Sequence, residues 1–281
     1  MLQVKRQDQI TFLHSETLDH IPGLVHAFST RRAERNDFSL GPADSPNPMI
    51  QMNRARFLAA IGAPGWPIIK LKQIHSGTVV DVDDTSAASE AVSGDAAVTA
   101  LRGVVLAVQT ADCVPILFVD PKKRVVAAVH AGWRGTLARI AQKTIGRMQL
   151  EFACKPADLL AALGPSIGPC CYEVGVELVT KFTAQFADAH DYFDEPRTGD
   201  EPNPIQWLNM APPGHQPPPK NVRLDLRKAN RSQLIASGLR PTNIYSTDLC
   251  TACRTDLLFS YRREGPLSGR LLAVVGIRSL R

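Results

Sequence analysis

The chain has 281 residues with a formal net charge of +5, and 44% of them are hydrophobic and 21% charged. These proportions exclude a disordered or fibrous chain and are typical of a globular protein with a sizeable core. No apolar run reaches the ~20 residues of a membrane span and no signal-peptide pattern is visible, so we expect a cytoplasmic protein with no membrane partner. The 32 basic and 27 acidic residues are scattered, which indicates an anionic ligand and no nucleic-acid partner.

The first part of the chain predicts short strands and one helix. IPGLVHAFSTRR is typical of a strand that runs into a basic loop, and NRARFLAAIG predicts a helix that Gly62 ends. In WPIIKLKQIHSGTVVDVDD, β-branched residues predict two strands with His75 and Ser76 at the turn between them.

The middle of the chain carries the strongest strand signal. GVVLAV, VPILFV and RVVAAV predict buried strands, and the polar turn DPKK separates the last two. After His130 the apolar spacing becomes that of a helix, from about Gly135 to Leu150. A strand, a glycine-containing turn and a helix therefore follow one another.

The last part of the chain mixes both kinds of element. ADLLAALG, NVRLDL, IYSTDL and LLAVVGI predict strands, and VELVTKFTAQF and RKANRSQLIASG predict helices. Between Pro196 and Pro219 lie 8 of the 21 prolines, which predicts an exposed excursion and not a domain boundary. Because strands and helices alternate without strict βαβ order, we expect one mixed α/β (α+β) domain over residues 1–281, built of layered sheets and helices.

Three side chains at predicted strand ends are candidate metal ligands. His75 lies in KQIHSG, Cys113 in TADCVP and His130 in VHAGWRG. Two imidazoles and one thiolate make a set that leaves a position on zinc open for water or substrate. Taken singly, each residue is more often an ordinary core or surface side chain, and the same donors also suit copper. We favour zinc, because its chemistry is non-redox and suits a reducing cytosol.

Four nearby polar residues are candidates for tuning this set or binding an anion. Asp112 either orients an imidazole or caps its turn. Arg134, at the start of the predicted helix, either binds phosphate or pairs on the surface. Arg31 in FSTRR and Arg262 in SYRREG either contact a nucleotide-like substrate or belong to ordinary structure and a solvated turn.

The remaining cysteines give a weaker signal. Six cysteines without a secretory signal are too few and too irregular for a disulfide framework, so we expect free thiols. The isolated C-x-x-C pair Cys250 and Cys253 indicates a metal or redox site only weakly. Adjacent Cys170 and Cys171 are a poor match for completing a four-cysteine zinc site, since neighbouring side chains project in different directions.

In chain order, GDAAVT, TADCVP, HAGWRG, GPSIGPCCYEVG and CTACRTDLLFSYRREG closely resemble the motifs of the YfiH-like family, also called the laccase-domain or polyphenol oxidase family. The resemblance runs from about Phe28 to Ile277, although FSTRRAERNDFSLG lacks the paired glycines usual in the family. It implies a layered α/β/β/α sandwich and purine nucleoside phosphorylase and adenosine deaminase activities. It also implies a zinc ion held by His75, Cys113 and His130.

The expected protein is therefore a zinc-dependent enzyme, acting on purine nucleosides and phosphate as a monomer or weak homodimer. The candidate catalytic residues are the three metal ligands, and the candidate substrate or phosphate ligands are Arg31, Arg134 and Arg262. Two alternatives stay open: a cysteine hydrolase or deamidase with Cys113 as nucleophile and His130 as base, or a purine-binding or partner-binding protein without turnover. Copper oxidase chemistry is disfavoured, because seven scattered histidines do not supply the His-x-His pairs of a trinuclear centre.

Overall fold

The computed structural model describes residues 1–34, 36–42, 47–84, 92–194 and 221–279. The predicted proline-rich excursion at 196–219 lies outside the described residues. The strands in chain order are β1 (Gln3–Gln7), β2 (Ile10–His14), β3 (Leu24–Ala33), β4 (Asn36–Asp37), β5 (Ile68–Lys70), β6 (Val79–Val82), β7 (Ala96–Thr99), β8 (Val105–Thr110), β9 (Val114–Asp120), β10 (Val125–Ala131), β11 (Leu160–Leu163), β12 (Glu173–Gly175), β13 (Phe193–Asp194), β14 (Asn221–Leu224), β15 (Ile244–Ser246) and β16 (Leu271–Ile277). The α-helices are α1 (Glu16–Asp19), α2 (Pro48–Ala60), α3 (Trp133–Leu137), α4 (Ile140–Phe152), α5 (Glu177–Thr183), α6 (Leu226–Ala236) and α7 (Tyr261–Glu264).

Two large sheets organise the fold. The first has the order β1-β2-β3-β16-β8-β5 with β4 on β3, the second has the order β15-β11-β9-β10-β7-β6, and a small third sheet has the order β12-β14-β13. The consecutive strands β5 and β6 belong to different large sheets, and so do β8 and β9. The connections from β5 to β6 and from β8 to β9 therefore cross from the first sheet to the second, and those from β7 to β8 and from β15 to β16 cross back.

The apolar side chains form layers because the strands alternate their faces. Between the two sheets lie Phe28, Leu106 and Val275 of the first sheet and Leu117 and Val126 of the second. Phe57 and Leu58 of α2 cover the outer face of the first sheet. Ile140, Ile145, Met148 and Leu234 of α4 and α6 cover the outer face of the second sheet. The layer order is helix, sheet, sheet, helix, which confirms the expected α/β/β/α sandwich.

Most predicted elements form as their patterns indicate. The DPKK turn joins β9 to β10, and the Asp120 carboxylate accepts hydrogen bonds from the N–H groups of Lys122 and Lys123 at 2.9 and 2.8 Å. The side chain of Asn47 accepts from the N–H of Met49 and begins α2, and Gly62 follows its end with a φ of +80°. None of the helices formed by the described residues has the length and apolarity needed to cross a membrane.

The prediction of one continuous helix after His130 is wrong. Arg139 adopts a left-handed conformation with a φ of 60° and separates α3 from α4. Its guanidinium stacks over Phe186, with 4.5 Å between Cζ and the ring centroid, and donates to Gln142 Oε1 at 3.0 Å. These contacts accompany a conformation that arginine rarely adopts and that its place in the sequence does not signal.

Candidate active site

The connections from β5 to β6 and from β8 to β9 meet at one end of the sandwich. His75 lies in the connection from β5 to β6, and Cys113 lies in the connection from β8 to β9, directly before the first residue of β9. His130 is the penultimate residue of β10, which pairs antiparallel with β9 so that Ala131 faces Val114. The antiparallel pairing thus brings the end of β10 beside Cys113.

The three predicted ligands form a compact set. The potential ligand atoms of His75, Cys113 and His130 lie within 4.8 Å of one another. The two imidazole rings meet edge to face, with 4.8 Å between centroids and 77° between planes. His130 is buried, Cys113 half-buried and His75 exposed. The set therefore has a buried side and a side open to a ligand.

Asp95 contacts both histidines of this set, His75 at its backbone and His130 at its ring. Its side chain is fully buried and accepts hydrogen bonds from the N–H groups of His75 and Ser76 at 3.0 and 2.6 Å. Its Oδ1 also lies 2.9 Å from Nδ1 of His130, which leaves Nε2 of His130 to face a metal. Asp95 was not among the predicted site residues, although an acidic residue directly before the apolar strand β7 was a usable signal.

Charge is concentrated on Cys113, His130 and Asp95. Burial opposes ionisation of Cys113, yet His130 and His75 lower its pKa to about 6. Burial likewise opposes protonation of His130, yet Cys113 and Asp95 raise its pKa to about 9. Hydrogen bonds from His130 and Ser76 outweigh burial and lower the pKa of Asp95 to about 2. Without a metal, the favoured state is thus a thiolate beside an imidazolium.

Gly132 leaves room for the thiolate. A Cβ atom at this position would lie 2.8 Å from Sγ of Cys113 and 3.3 Å from Cδ2 of His75. The φ of Gly132 is −76°, which any residue adopts, so the requirement for glycine is steric and not conformational. This glycine therefore does more than permit the turn before α3.

Asp112 holds the cavity wall and does not orient an imidazole. Its Oδ1 accepts hydrogen bonds from the hydroxyls of Thr251 and Ser260 at 2.6 and 2.7 Å. Its Oδ2 accepts from the N–H of Arg262 at 2.7 Å. The orienting role proposed for it from sequence belongs to Asp95, and Asp112 instead ties the Cys113 connection to the segment leading to α7.

A cavity of about 890 Å³ opens over the three ligands. His75, Cys113 and His130 line it, together with the cationic side chains of Lys72, Arg262 and Arg270 and the rings of Tyr172 and Tyr261. A volume in this range holds a ligand of nucleoside size, and rings and cations offer stacking and anion binding respectively. Burial and the neighbouring Cys113 raise the pKa of Tyr172 to about 12, so its hydroxyl keeps its proton.

The structure brings only one of the three predicted arginines to this cavity. Arg262 lines it, donates to the carbonyl of Glu173 at 3.0 Å and lies over the ring of Tyr172. Arg31 is not among the lining residues; it pairs with Asp37 at 2.5 Å and with Glu264 at 2.8 Å.

Arg134 is also absent from the lining of the cavity. It is exposed and stacks on Trp133, with 4.4 Å between Cζ and the ring centroid. The helix α3 that it belongs to has only five residues. Phosphate binding by Arg31 and Arg134 stays a prediction, and their positions do not support it.

Comparisons with known proteins agree on one family. The model of the multi-copper polyphenol oxidoreductase laccase family matches residues 25–278. The chain is 35% identical over 233 residues to "Purine nucleoside phosphorylase YlmD" of Geobacillus stearothermophilus, covering 80% of this chain and 78% of that protein. It is 39% identical over 263 residues to "Adenosine deaminase RL5" of an unknown prokaryotic organism, covering 88% and 91%. The crystal structure of the Bacillus licheniformis hypothetical protein YfiH has the same fold, with a TM-score of 0.81 at 24% identity over 98% of this chain and 99% of that one.

Proposed function

The chain belongs to the multi-copper polyphenol oxidoreductase laccase family, and on this premise we propose that it is a zinc-dependent purine nucleoside enzyme. The proposed reactions are phosphorolysis of adenosine, inosine, guanosine and methylthioadenosine, and hydrolytic deamination of adenosine to inosine. The names of two relatives, a purine nucleoside phosphorylase and an adenosine deaminase, support the two activities.

The observation that carries the proposal is the donor set at the base of the cavity. His75, Cys113 and His130 have their ligand atoms within 4.8 Å of one another, and all three line the cavity. This set fits a zinc ion with one position open, and copper is the less favoured metal. Zinc bound there would supply a Lewis acid for the hydrolytic reaction.

The cationic wall fits the phosphorolytic reaction. In that reaction a phosphate oxygen forms a bond to C1′ of the ribose while the bond from C1′ to the purine breaks, so donors must surround an anion. Arg262 keeps the role predicted for it, and Lys72 and Arg270, which also line the cavity, offer further cationic donors. The protonated hydroxyl of Tyr172 is a donor for the sugar or the base.

One arrangement favours a second candidate function. Asp95 faces His130 at 2.9 Å, and His130 lowers the pKa of the Cys113 thiol to about 6. An acid, an imidazole and a thiolate in this order form the catalytic set of a cysteine hydrolase or deamidase. In that function Cys113 attacks the substrate, whereas in the proposed function it holds a metal.

The test is product analysis with purified protein of measured metal content. Incubation with adenosine and phosphate is expected to release adenine and ribose 1-phosphate, and incubation without phosphate is expected to release inosine. The Cys154→Ala variant, which alters a buried thiol elsewhere, serves as the control and keeps both reactions. If zinc-loaded protein left adenosine, inosine and methylthioadenosine unchanged, the proposal would be wrong.

The covalent alternative gives a different result. Rapid alkylation of Cys113 in active, metal-free protein would favour it, because a metal ties up the thiolate. In the proposed function zinc protects Cys113 from alkylation, and protection and activity are lost together on chelation.

The six free cysteines agree with the proposed reducing cytoplasmic location.

A further inference from the structure

Four cysteines outside the proposed active site form a second cluster. The Sγ atoms of Cys170, Cys171, Cys250 and Cys253 all lie within 4.8 Å of one another. The Sγ of Cys253 is 3.5 Å from that of Cys170 and 3.4 Å from that of Cys171. Four thiolates bound to one zinc ion at ~2.3 Å stand ~3.8 Å apart, so the cluster has the dimensions of a tetrathiolate site.

The expectation that adjacent Cys170 and Cys171 are a poor match for such a site is wrong. The N–H groups of Cys171 and Tyr172 both donate to the carbonyl of Gly168, each at 3.0 Å. The chain therefore turns tightly here, and this turn brings both neighbouring sulfur atoms to Cys253.

A backbone donor faces one thiol of the cluster. The N–H of Gly168 donates to Sγ of Cys250 at 3.2 Å. The thiolate is the form that binds metals, and an N–H group directed at sulfur favours it.

Arginines beside the cluster offset the charge that four thiolates and a divalent ion would carry. A Cβ atom placed on Gly168 would lie 3.2 Å from Nη2 of Arg227 and 3.3 Å from Sγ of Cys170, so this guanidinium lies next to the cluster. Nε of Arg263 donates to the carbonyl of Ala252 at 3.0 Å, inside the C-x-x-C turn.

From this geometry we propose that Cys170, Cys171, Cys250 and Cys253 bind a second zinc ion. Four thiolates complete its coordination and leave no position for substrate, so the site is structural and not catalytic. The ion joins the loop after β11 to the segment after β15, where the N–H of Thr251 already donates to the carbonyl of Ser166 at 3.1 Å.

The second ion stabilises one wall of the cavity. The loop after β11 leads to Tyr172 and the segment after β15 leads to Arg262, and both side chains line the cavity. Between them, the hydroxyl of Thr251 donates to Asp112 at 2.6 Å, next to Cys113. That loss of the second ion would slow nucleoside turnover rests on the proposed function. The predicted number of zinc ions per chain does not depend on it.

The first test counts zinc in variants. Wild-type protein is expected to contain about two zinc ions per chain, and both Cys113→Ser and Cys253→Ser about one. Cys253 is exposed, which favours folding of its variant, and Cys154→Ala is the matched cysteine control that keeps both ions. Wild-type protein with a single zinc ion that disappears in Cys113→Ser would overturn the inference, and so would iron in place of the second zinc.

A second test needs no variant of the cluster. In the Cys113→Ser protein, cobalt substitution is expected to give the strong sulfur-to-metal absorption of a tetrathiolate site. Native wild-type protein is expected to release its four cluster thiols for alkylation after chelation, without a reductant. Thiols that appear only after reduction would reveal a disulfide and contradict the inference. If adenosine is not converted but Cys113→Ser still holds zinc, the proposed function fails and this inference stands.

Discussion

The carboxylate of Asp95 contacts the chain at both proposed histidine ligands. It accepts from the N–H of His75 at 3.0 Å and faces Nδ1 of His130 at 2.9 Å. His75 has a φ of +58°, a conformation that costs energy for a side chain without glycine's freedom. These hydrogen bonds offset that cost. One buried carboxylate therefore fixes both the backbone turn at His75 and the ring tautomer of His130.

Asp95→Asn is expected to weaken metal binding and adenosine turnover by ~10–100-fold. The amide keeps the size of the side chain but loses an acceptor and places a donor opposite His130 or the His75 turn. Asp158→Asn, which alters a carboxylate paired with Lys122 at 2.8 Å, is the control. Zinc affinity and kcat/KM measured for both variants check this, and equal behaviour of the two would contradict it.

Gly132→Ala is expected to displace the thiolate of Cys113, because the added Cβ would lie 2.8 Å from Sγ. Such overpacking costs ~1–3 kcal/mol of stability, and zinc affinity falls with it. Gly146→Ala is the matched control, since a Cβ there meets nothing within 4 Å and a helix interior gains ~1 kcal/mol from alanine. Calorimetry and metal titration are the measurements, and unchanged zinc affinity in Gly132→Ala would refute the steric role.

At the scale of elements, the strands in the middle of the chain were predictable from the sequence, but the sheet to which each belongs was not. Continuous apolar runs identify β8, β9 and β10 as strands, because strands covered on both faces carry apolar side chains on both. Membership in one sheet or the other depends on long-range pairing, which a single sequence does not record. The position of Cys113 beside His130 follows from the hairpin of β9 and β10 that the DPKK turn predicts. The crossings between sheets, by contrast, became visible only in three dimensions.

Helix α6 gives a prediction about stability that is separate from chemistry. Asp225 accepts from the N–H of Lys228 at 3.0 Å and caps the start of α6. Asp225→Ala is expected to lower the free energy of unfolding by ~1 kcal/mol, whereas Asp225→Asn retains the cap. Chemical denaturation compares the three proteins, and a loss of stability in Asp225→Asn equal to that in Asp225→Ala would show that the cap is not responsible.

For the whole molecule, motif resemblance predicted the layers and the family, and local reasoning predicted that His75, Cys113 and His130 form one set. Neither reveals contacts with side chains from distant segments. Arg31, for which phosphate binding stays a prediction, pairs with Asp37 and with the distant Glu264. Cys170 and Cys171 meet Cys253 across 83 and 82 positions of the chain, a separation that local spacing rules do not address.

The stability of the whole fold is expected to fall in acid because of His26. This side chain is buried and its Nε2 accepts from the N–H of Ser15 at 2.9 Å. Burial lowers its pKa to about 4, although the nearby Asp19 opposes the change. In the unfolded chain His26 binds a proton at its ordinary pKa of about 6.5, whereas in the native state it stays neutral down to about pH 4. The free energy of unfolding therefore falls by up to ~1.4 kcal/mol per pH unit as the pH drops between these two pKa values.

Denaturation at pH 7.5, 6 and 5 measures this dependence. Above pH 7 His26 adds no pH dependence to the free energy of unfolding, since it is neutral in both the native and the unfolded state. His26→Gln is expected to flatten the slope between pH 6 and 5, and His20→Gln, at an exposed position, is expected to leave it as it is. The assignment to His26 would be wrong if His26→Gln kept the wild-type slope.

The most direct test of the metal-dependent nucleoside chemistry is adenosine conversion measured while zinc is returned to metal-depleted protein. Conversion is expected to be absent at first, to rise with zinc and to reach the rate of untreated protein, whereas Cys113→Ser gains none. Full conversion by metal-depleted protein, or no conversion by protein with zinc at His75, Cys113 and His130, would contradict the account.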